Sequence, residues 1–295
     1  MHLEFQYGAR QAGIEAAGDT LAVGLTNPAC GQPTERWALP PGEPVKRGDF
    51  RLFESGDYVL GAASVKVRPD TLAATTESLY EQLLGGHPEF SLYRIWHFVP
   101  QINAQAEEHL ENYQAFCLGR AMAFERHAAH TLHSKIPAAS AVGTWGGRFT
   151  LVYLAGRPLG THLENPRQTP AYHYPEQYGP KPPSFSRATA VIYGGRPTLF
   201  ISGTASVLAS ESIGETIESQ LSTTLENLLV IASQSPVSSG GKRRVRVYLR
   251  HAEAYDYVKA QLDTHYLKDG DEAFYIVADI CRQELLVEIE VTIGL

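Results

Sequence analysis

Ala188-Thr189-Ala190-Val191-Ile192-Tyr193 and Thr198-Leu199-Phe200-Ile201-Ser202 are apolar, β-branched runs on either side of the turn Gly194-Gly195-Arg196-Pro197. They read as a strand pair. Downstream, the spacing of apolar residues predicts a helix over 215–233, a strand over 245–250 and a helix over 252–266. Strands over 274–280 and 285–291 follow. The same order is legible upstream. Two short apolar runs between Arg51 and Val67 are divided by Glu54-Ser55-Gly56-Asp57. A helix capped by Asp70 then carries Leu72, Leu79, Tyr80, Leu83 and Leu84 on one face and stops at Gly85-Gly86. A strand over 93–99 is followed by a helix from Ala106 to about His130, with Leu110, Tyr113, Phe116, Cys117 and Ala121 as its apolar stripe, and by strands near 138–142 and 149–155.

Two strands, helix, strand, helix, two strands therefore occurs twice. This predicts an α+β fold of two units, each a mixed β-sheet with helices on one face. A sheet covered on one face must bury the other, so the halves are expected to pack on each other or on another subunit. The expected division is an N-terminal unit over 1–160, a connector over 161–187 and a C-terminal unit over 188–295. The first 50 residues read as short strands and loops draped over the core.

At 295 residues, with 43% hydrophobic and 19% charged residues, the chain has the make-up of a folded protein able to bury a sizeable core. A formal charge of -7 argues against general nucleic-acid affinity, which needs basic surface to neutralise phosphates. The one basic cluster, Lys242, Arg243, Arg244 and Arg246, follows Ser238-Ser239-Gly240-Gly241 and reads as a solvated loop. No stretch approaches the roughly 20 apolar residues that span a bilayer, and the first residues lack a basic region followed by an apolar run. Cys30, Cys117 and Cys281 have no metal-ligand spacing, so a reducing cytoplasm is expected. His127, His130 and His133 lie near a helix end without a carboxylate at zinc-site spacing, and no metal site is expected there. Neither a P-loop nor a Gly-x-Gly-x-x-Gly turn is present, so no nucleotide cofactor is implied.

The connector differs from both halves. Five prolines between Pro166 and Pro182 forbid a regular helix or a central strand, and tyrosines, arginines and hydroxyls crowd the same stretch. Such a loop suits either recognition of a small polar ring or rigid linkage. Its motifs Asn165-Pro166-Arg167-Gln168, Tyr174-Pro175, Tyr178-Gly179-Pro180 and Pro183-Ser184-Phe185-Ser186-Arg187-Ala188 resemble the central signature of chorismatases. Leu199-Phe200-Ile201-Ser202-Gly203-Thr204-Ala205-Ser206 agrees with it, as does the terminal block from Ala278-Asp279-Ile280-Cys281-Arg282 through Leu286-Val287-Glu288-Ile289-Glu290. The likeness runs from about Tyr93 to the C-terminus. The C-terminal half also resembles the small Rid (YjgF-like) proteins, which implies Rid-like units and a homotrimer.

The chorismatase resemblance implies a cofactor-free cleavage of the enolpyruvyl ether of chorismate to pyruvate and 3-hydroxybenzoate, with 4-hydroxybenzoate as a second product. The rival from the Rid likeness is an enamine or imine deaminase; a water-hydrolysing route to a dihydroxycyclohexadiene carboxylate is a further alternative. Glu288 and Glu290 alternate with Val287 and Ile289, which puts both acids on one face of a strand. On pattern alone that face reads as solvated. The resemblance instead makes Glu288 the general acid. It also makes Cys281 a position that separates product types, cysteine accompanying 3-hydroxybenzoate formation and alanine the hydrolytic enzymes. A second such position falls at Gly194, which by pattern is simply a hairpin glycine. Arg167, Arg187 and Arg250 are candidate partners of the substrate carboxylates. Tyr174 and Tyr178 are candidates for contact with the ring, and Ser202, Gly203 and Thr204 for contact with substrate oxygens.

Overall fold

The computed structural model describes all residues except 107–109, 129–135, 236, 238–240 and 295. The chain opens with four strands, β1 (His2–Tyr7), β2 (Gly13–Ala17), β3 (Thr20–Leu25) and β4 (Thr34–Ala38), joined in one sheet of order β2-β3-β1-β4. The first unit follows: β5 (Glu43–Arg47), β6 (Phe50–Glu54), β7 (Tyr58–Lys66), α1 (Leu72–Gly86), β8 (Ser91–Pro100), α2 (Asn112–Ala128), β9 (Ala138–Thr144) and β10 (Arg148–Gly156). The second unit comprises β11 (Thr161–Leu163), β12 (Ala188–Tyr193), β13 (Arg196–Ala205), the small hairpin β14 (Val207–Leu208) and β15 (Glu211–Ser212), α3 (Ile217–Ser233), β16 (Arg243–Leu249), α4 (Tyr255–His265), β17 (Glu272–Val277) and β18 (Val287–Ile293).

The two large sheets have one topology. Their orders are β5-β6-β7-β10-β8-β9 and β11-β12-β13-β18-β16-β17, so in each unit the last strand enters the middle of the sheet. In each, one strand pair is parallel, β8 with β9 and β16 with β17, and is joined by a helix; the remaining pairs are antiparallel. A parallel neighbour needs a long crossover, which is why a helix lies in that connection. The expected organisation of two Rid-like α+β units is present, with one further edge strand, β5 or β11, in each.

Leu79, Phe116 and Phe124 of the helices cover one face of the first sheet, and Leu221, Leu228 and Val258 cover one face of the second. The helix-free faces meet. Trp96, Phe98 and Val152 pack with Phe200, Tyr248 and Ile276, and the N-terminal sheet adds Phe5, Val23 and Trp37 to the same core. The first residues are thus more than a drape, because they fill an end of the layer between the units.

Three local expectations are corrected. Asp70 does not cap α1: its carboxylate pairs with Arg68 at 2.9 Å, and a 3-10 turn precedes the helix. Helix α2 starts at Asn112 rather than Ala106, because Gln105 and Glu111 are paired in a β-bridge and the Asn112 side chain bonds the Pro100 and Gln101 carbonyls. The basic cluster is not a solvated loop. Arg243, Arg244 and Arg246 begin β16; Arg243 pairs with buried Asp271 at 2.6 Å, and Arg246 is 1% exposed between the two sheets.

Candidate active site

Glu288 and Glu290 lie on β18, the strand flanked by β13 and β16, and both point at the first unit. Their neighbour β13 carries a β-bulge: Ile201 pairs with Val291 and Thr204 with Ile289, so Ser202 and Gly203 together oppose Glu290. Bulges redirect side chains and loosen a ladder locally. Here the bulge brings the bare backbone of Gly203 against the Glu288 carboxyl. A Cβ at position 203 would come within 2.7 Å of the Glu288 carboxyl carbon and 3.0 Å of the Ser140 Cβ.

The two carboxyls have opposite surroundings. Glu290 accepts from Arg94 Nη2 at 2.6 Å, Ser140 Oγ at 2.6 Å, Trp96 Nε1 at 2.7 Å and Tyr248 OH at 3.0 Å, and lies 3.0 Å from Arg246 Nη1. Burial acts to raise its pKa, but Arg94, Arg246 and these donors hold it below the usual carboxylate range. Glu288 has no hydrogen-bond partner among the described residues. Burial first and the Glu290 charge second push it up to about 8, against the pull of Arg94 and Arg187. Paired acids driven apart in this way become one proton donor and one fixed anion.

Glu288 lines a cavity of about 300 Å³ between the units, enclosed by α2, β9, the connector, β13 and the loop before β18. Three guanidinium groups reach it. Arg187, 4% exposed, donates Nη2 to the Thr169 carbonyl and the Tyr174 hydroxyl. Arg282 stacks on the Tyr178 ring with its guanidinium carbon 3.9 Å from the centroid, and bonds the Ser210 carbonyl and the Ser212 hydroxyl. Arg120, 2% exposed, lies over the Phe116 ring at 4.7 Å and faces the Tyr80 hydroxyl. Among the described residues none of the three has an ion pair, although Glu111 and the exposed Glu284 also line the cavity. Arg187 also acts on the half-buried Glu164 carboxyl, which burial pushes up to about 7 against the Arg187 charge; a buried cation with no ionised partner is costly unless an anion arrives.

Arg120 is also braced from behind. Tyr80 OH lies 2.6 Å from His97 Nε2, and His97 Nδ1 lies 2.7 Å from the Ser140 carbonyl, so the ring donates at Nδ1 and accepts at Nε2. Burial, and next the Arg120 charge, hold His97 well below its ordinary range and keep it neutral. Cys281 lines the cavity as a neutral thiol, because burial and then Glu288 push it up to about 12.

The structure gathers Glu288, Cys281, Tyr174, Tyr178, Arg187 and Gly203 around this cavity and leaves the other expected residues outside it. Arg167 pairs with Glu226 of α3 at 2.7 Å. Arg250 bonds Asp279 at 2.8 Å, Asn103, and the carbonyls of Ile280, Arg282 and Leu285; it fastens the loop that presents Cys281 and Arg282. Ser202 Oγ donates to the Ser186 carbonyl and accepts from Ala139 N–H, and Thr204 Oγ1 donates to the Ser202 carbonyl, so both hydroxyl protons are committed within the protein. Gly194 sits in the β12–β13 turn at φ +57°, its N–H bonded to Tyr58 OH. At roughly 3.3 Å per residue it is about 30 Å along β13 from Gly203. Gly203 is the glycine that touches the acid.

Sequence reasoning missed Arg120, Arg282 and Gln168 at the cavity. Arg120 had a signal: it follows Tyr113, Phe116 and Cys117 at helical spacing, a lone cation on an apolar stripe. His130 and His133 lie outside the described residues; among the described ones no group of three or more His, Cys, Asp or Glu side chains could hold a metal. No described helix is long and apolar enough to cross a membrane.

Gly203→Ala is expected to displace the Glu288 carboxyl and lower kcat by on the order of ten- to a hundredfold, since a displacement of about 1 Å at reacting groups costs that much. An unchanged kcat, measured on a variant whose melting temperature is retained, would reject the placement of Glu288 against this backbone.

Residues 35–155 match the family model described as chorismatase FkbO/Hyg5-like, N-terminal. A 3-hydroxybenzoate synthase of Streptomyces hygroscopicus is 36% identical over 267 residues, covering 83% of this chain and 76% of that protein. A chorismatase of Streptomyces rapamycinicus is 33% identical, covering 82% of this chain and 72% of that protein. The crystal structure of a chorismatase superposes with a TM-score of 0.87 at 27% identity, over 99% of this chain and 92% of the other.

Proposed function

Since the chain belongs to the chorismatase family, we propose that it cleaves the enolpyruvyl ether of chorismate, giving pyruvate and 3-hydroxybenzoate, with 4-hydroxybenzoate as a second product. The observation that carries this reading is a carboxyl group, Glu288, buried in its acid form beside three guanidinium groups that have no ion pair among the described residues.

Chorismate brings two carboxylates, a ring hydroxyl and an enol ether. Arg120, Arg187 and Arg282 supply donors for the carboxylates, and Tyr174 and Tyr178 border the ring. Glu288 gives its proton to the enolpyruvyl methylene, which makes the ether carbon oxocarbenium-like and weakens the bond to the ring. The ring C4 hydroxyl then attacks the neighbouring ring carbon and gives its proton to the Glu288 carboxylate, the ring–ether bond breaks with its electron pair forming the carbonyl of the departing pyruvate, and the arene-oxide-like intermediate aromatises. The two products together contain the atoms of chorismate, so no water is consumed. A buried site favours this internal nucleophile over solvent. Proton donation needs only the carboxyl, so the reading requires no cofactor. We further take the protein to be cytoplasmic and to assemble as a homotrimer.

Incubation of the pure protein with chorismate, with pyruvate and aromatic acids resolved by mass, tests the reading; absence of pyruvate would reject it. Cys281→Ala is expected to change the ratio of ring products, moving it toward the dihydroxycyclohexadiene carboxylate, with KM altered less than about threefold. The neutral thiol borders Glu288, and its loss leaves room for a water beside the cation. The same acids in the same ratio by chromatography would exclude a role for Cys281 in partition.

A further inference from the structure

We propose that Glu290 is a positioning residue, a permanently ionised carboxylate whose field keeps the neighbouring Glu288 in its acid form, and that Glu35 of the N-terminal sheet supports it through Arg246. This deepens the assignment of Glu288 as proton donor and rests on it.

The geometry leaves Glu290 no part in proton transfer. Its Oε2 accepts from Arg94, Ser140 and Tyr248, and its Oε1 from Trp96 with Arg246 at 3.0 Å, so the oxygens are saturated by donors. These donors come from β8, β9 and β16, elements of both units. Arg246 is shared: its Nε and Nη2 each lie 2.7 Å from Glu35 Oε2. Glu35 is fixed in turn by Tyr7 OH at 3.0 Å and Trp37 Nε1 at 2.6 Å, side chains of the N-terminal sheet. A row of alternating charges, Glu35, Arg246, Glu290, Arg94, thus crosses the interior and ends beside Glu288.

The field at Glu288 has identifiable sources. Glu290 on the same strand opposes ionisation; Arg94 from β8 and Arg187 before β12 favour it; Cys281, in the loop before β18, is neutral. Two carboxylates about 7 Å apart on one strand face repel enough, at an effective dielectric of about 20, to move a titration by on the order of one to two pH units. When Glu288 gives up its proton, Arg94 and Arg187 are in place to stabilise the new anion. Regeneration of the acid is then favoured by Glu290.

Infrared difference spectroscopy of the whole protein, with Glu288→Gln as reference, tests this. A protonated-carboxyl band belonging to Glu288 is expected at neutral pH in the wild type, disappearing as pH rises through about 8, with no such band assignable to Glu290. In Glu290→Gln the midpoint of that band is expected to fall by one to two pH units, and the alkaline limb of kcat/KM to move with it. A role confined to packing would lower kcat and leave the midpoint in place, and that result overturns the proposal. If Glu290→Gln does not fold, Glu35→Gln provides the second arm: it removes one remote anion and lets Arg246 turn to Glu290, so a smaller downward shift is expected and an upward or zero shift is contrary. A second protonated band in the wild type that is lost in a Glu290 variant also overturns it; a band that survives both replacements belongs to Glu164, which burial pushes up to about 7. The band titrates without substrate. A moved midpoint in a protein inert toward chorismate would therefore count against the chorismate reading alone.

Discussion

Glu288→Gln is expected to fold and to bind chorismate, yet to release pyruvate on the order of 10²- to 10⁴-fold more slowly, the range that loss of a positioned general acid covers. The amide fits the same space against Gly203 and has no acidic proton to give. The wild-type rate should depend on pH in one direction only through this group. As the proposed proton donor Glu288 must be protonated to act, and burial pushes its carboxyl up to about 8. Activity is therefore full on the acid side of that value and lost as pH rises through it. The physical origin is removal of the carboxyl from water, reinforced by the Glu290 charge. Substrate binding measured by calorimetry, beside single-turnover pyruvate release, separates the two effects. A variant that binds and turns over at the wild-type rate would mean that the proton comes from elsewhere.

Arg120→Met should act on binding. The guanidinium is buried against Phe116 and held through Tyr80 and His97, with no ion pair among the described residues. Removing one member of a desolvated charge pair costs about 2–5 kcal/mol, which corresponds to a rise in KM of roughly 30- to 4,000-fold. Methionine keeps most of the volume, so the loss measures charge and hydrogen bonding more than a cavity. A second readout points the other way. An uncompensated interior cation destabilises the ligand-free protein, and the variant should melt at a higher temperature than wild type in the absence of substrate. A KM within threefold of wild type, or a lower melting temperature, would show that Arg120 is a structural cation with no substrate carboxylate to meet.

Which parts of the site were legible depended on whether a local pattern could carry them. Alternation placed Glu288 and Glu290 on one face of a strand, and both do share it. The same alternation read that face as solvated, because an acid-bearing face beside an apolar one is how a half-exposed strand looks in sequence. Arg246 was misread for the same reason, as one of four basic residues after a glycine-rich turn. Gly194 and Gly203 pose a related problem. Both are glycines of one hairpin, and a turn explains the first, but the value of the second comes from a bulge that pairing with β18 creates.

The sequence by itself determined the repeated order of strands and helices, the alternation of β18, the stiffness of the connector and, through its motifs, the family. Each is a property of a short segment or of residue identity. Only the tertiary structure decided that the helix-free sheets face each other, which glycine meets the acid, and which arginines are left without an ion pair among the described residues. Arg94 and Glu290 meet across 196 residues, and Glu35 and Arg246 across 211. Periodicity tells which side of a strand is polar; what stands opposite that side is fixed by packing between distant segments.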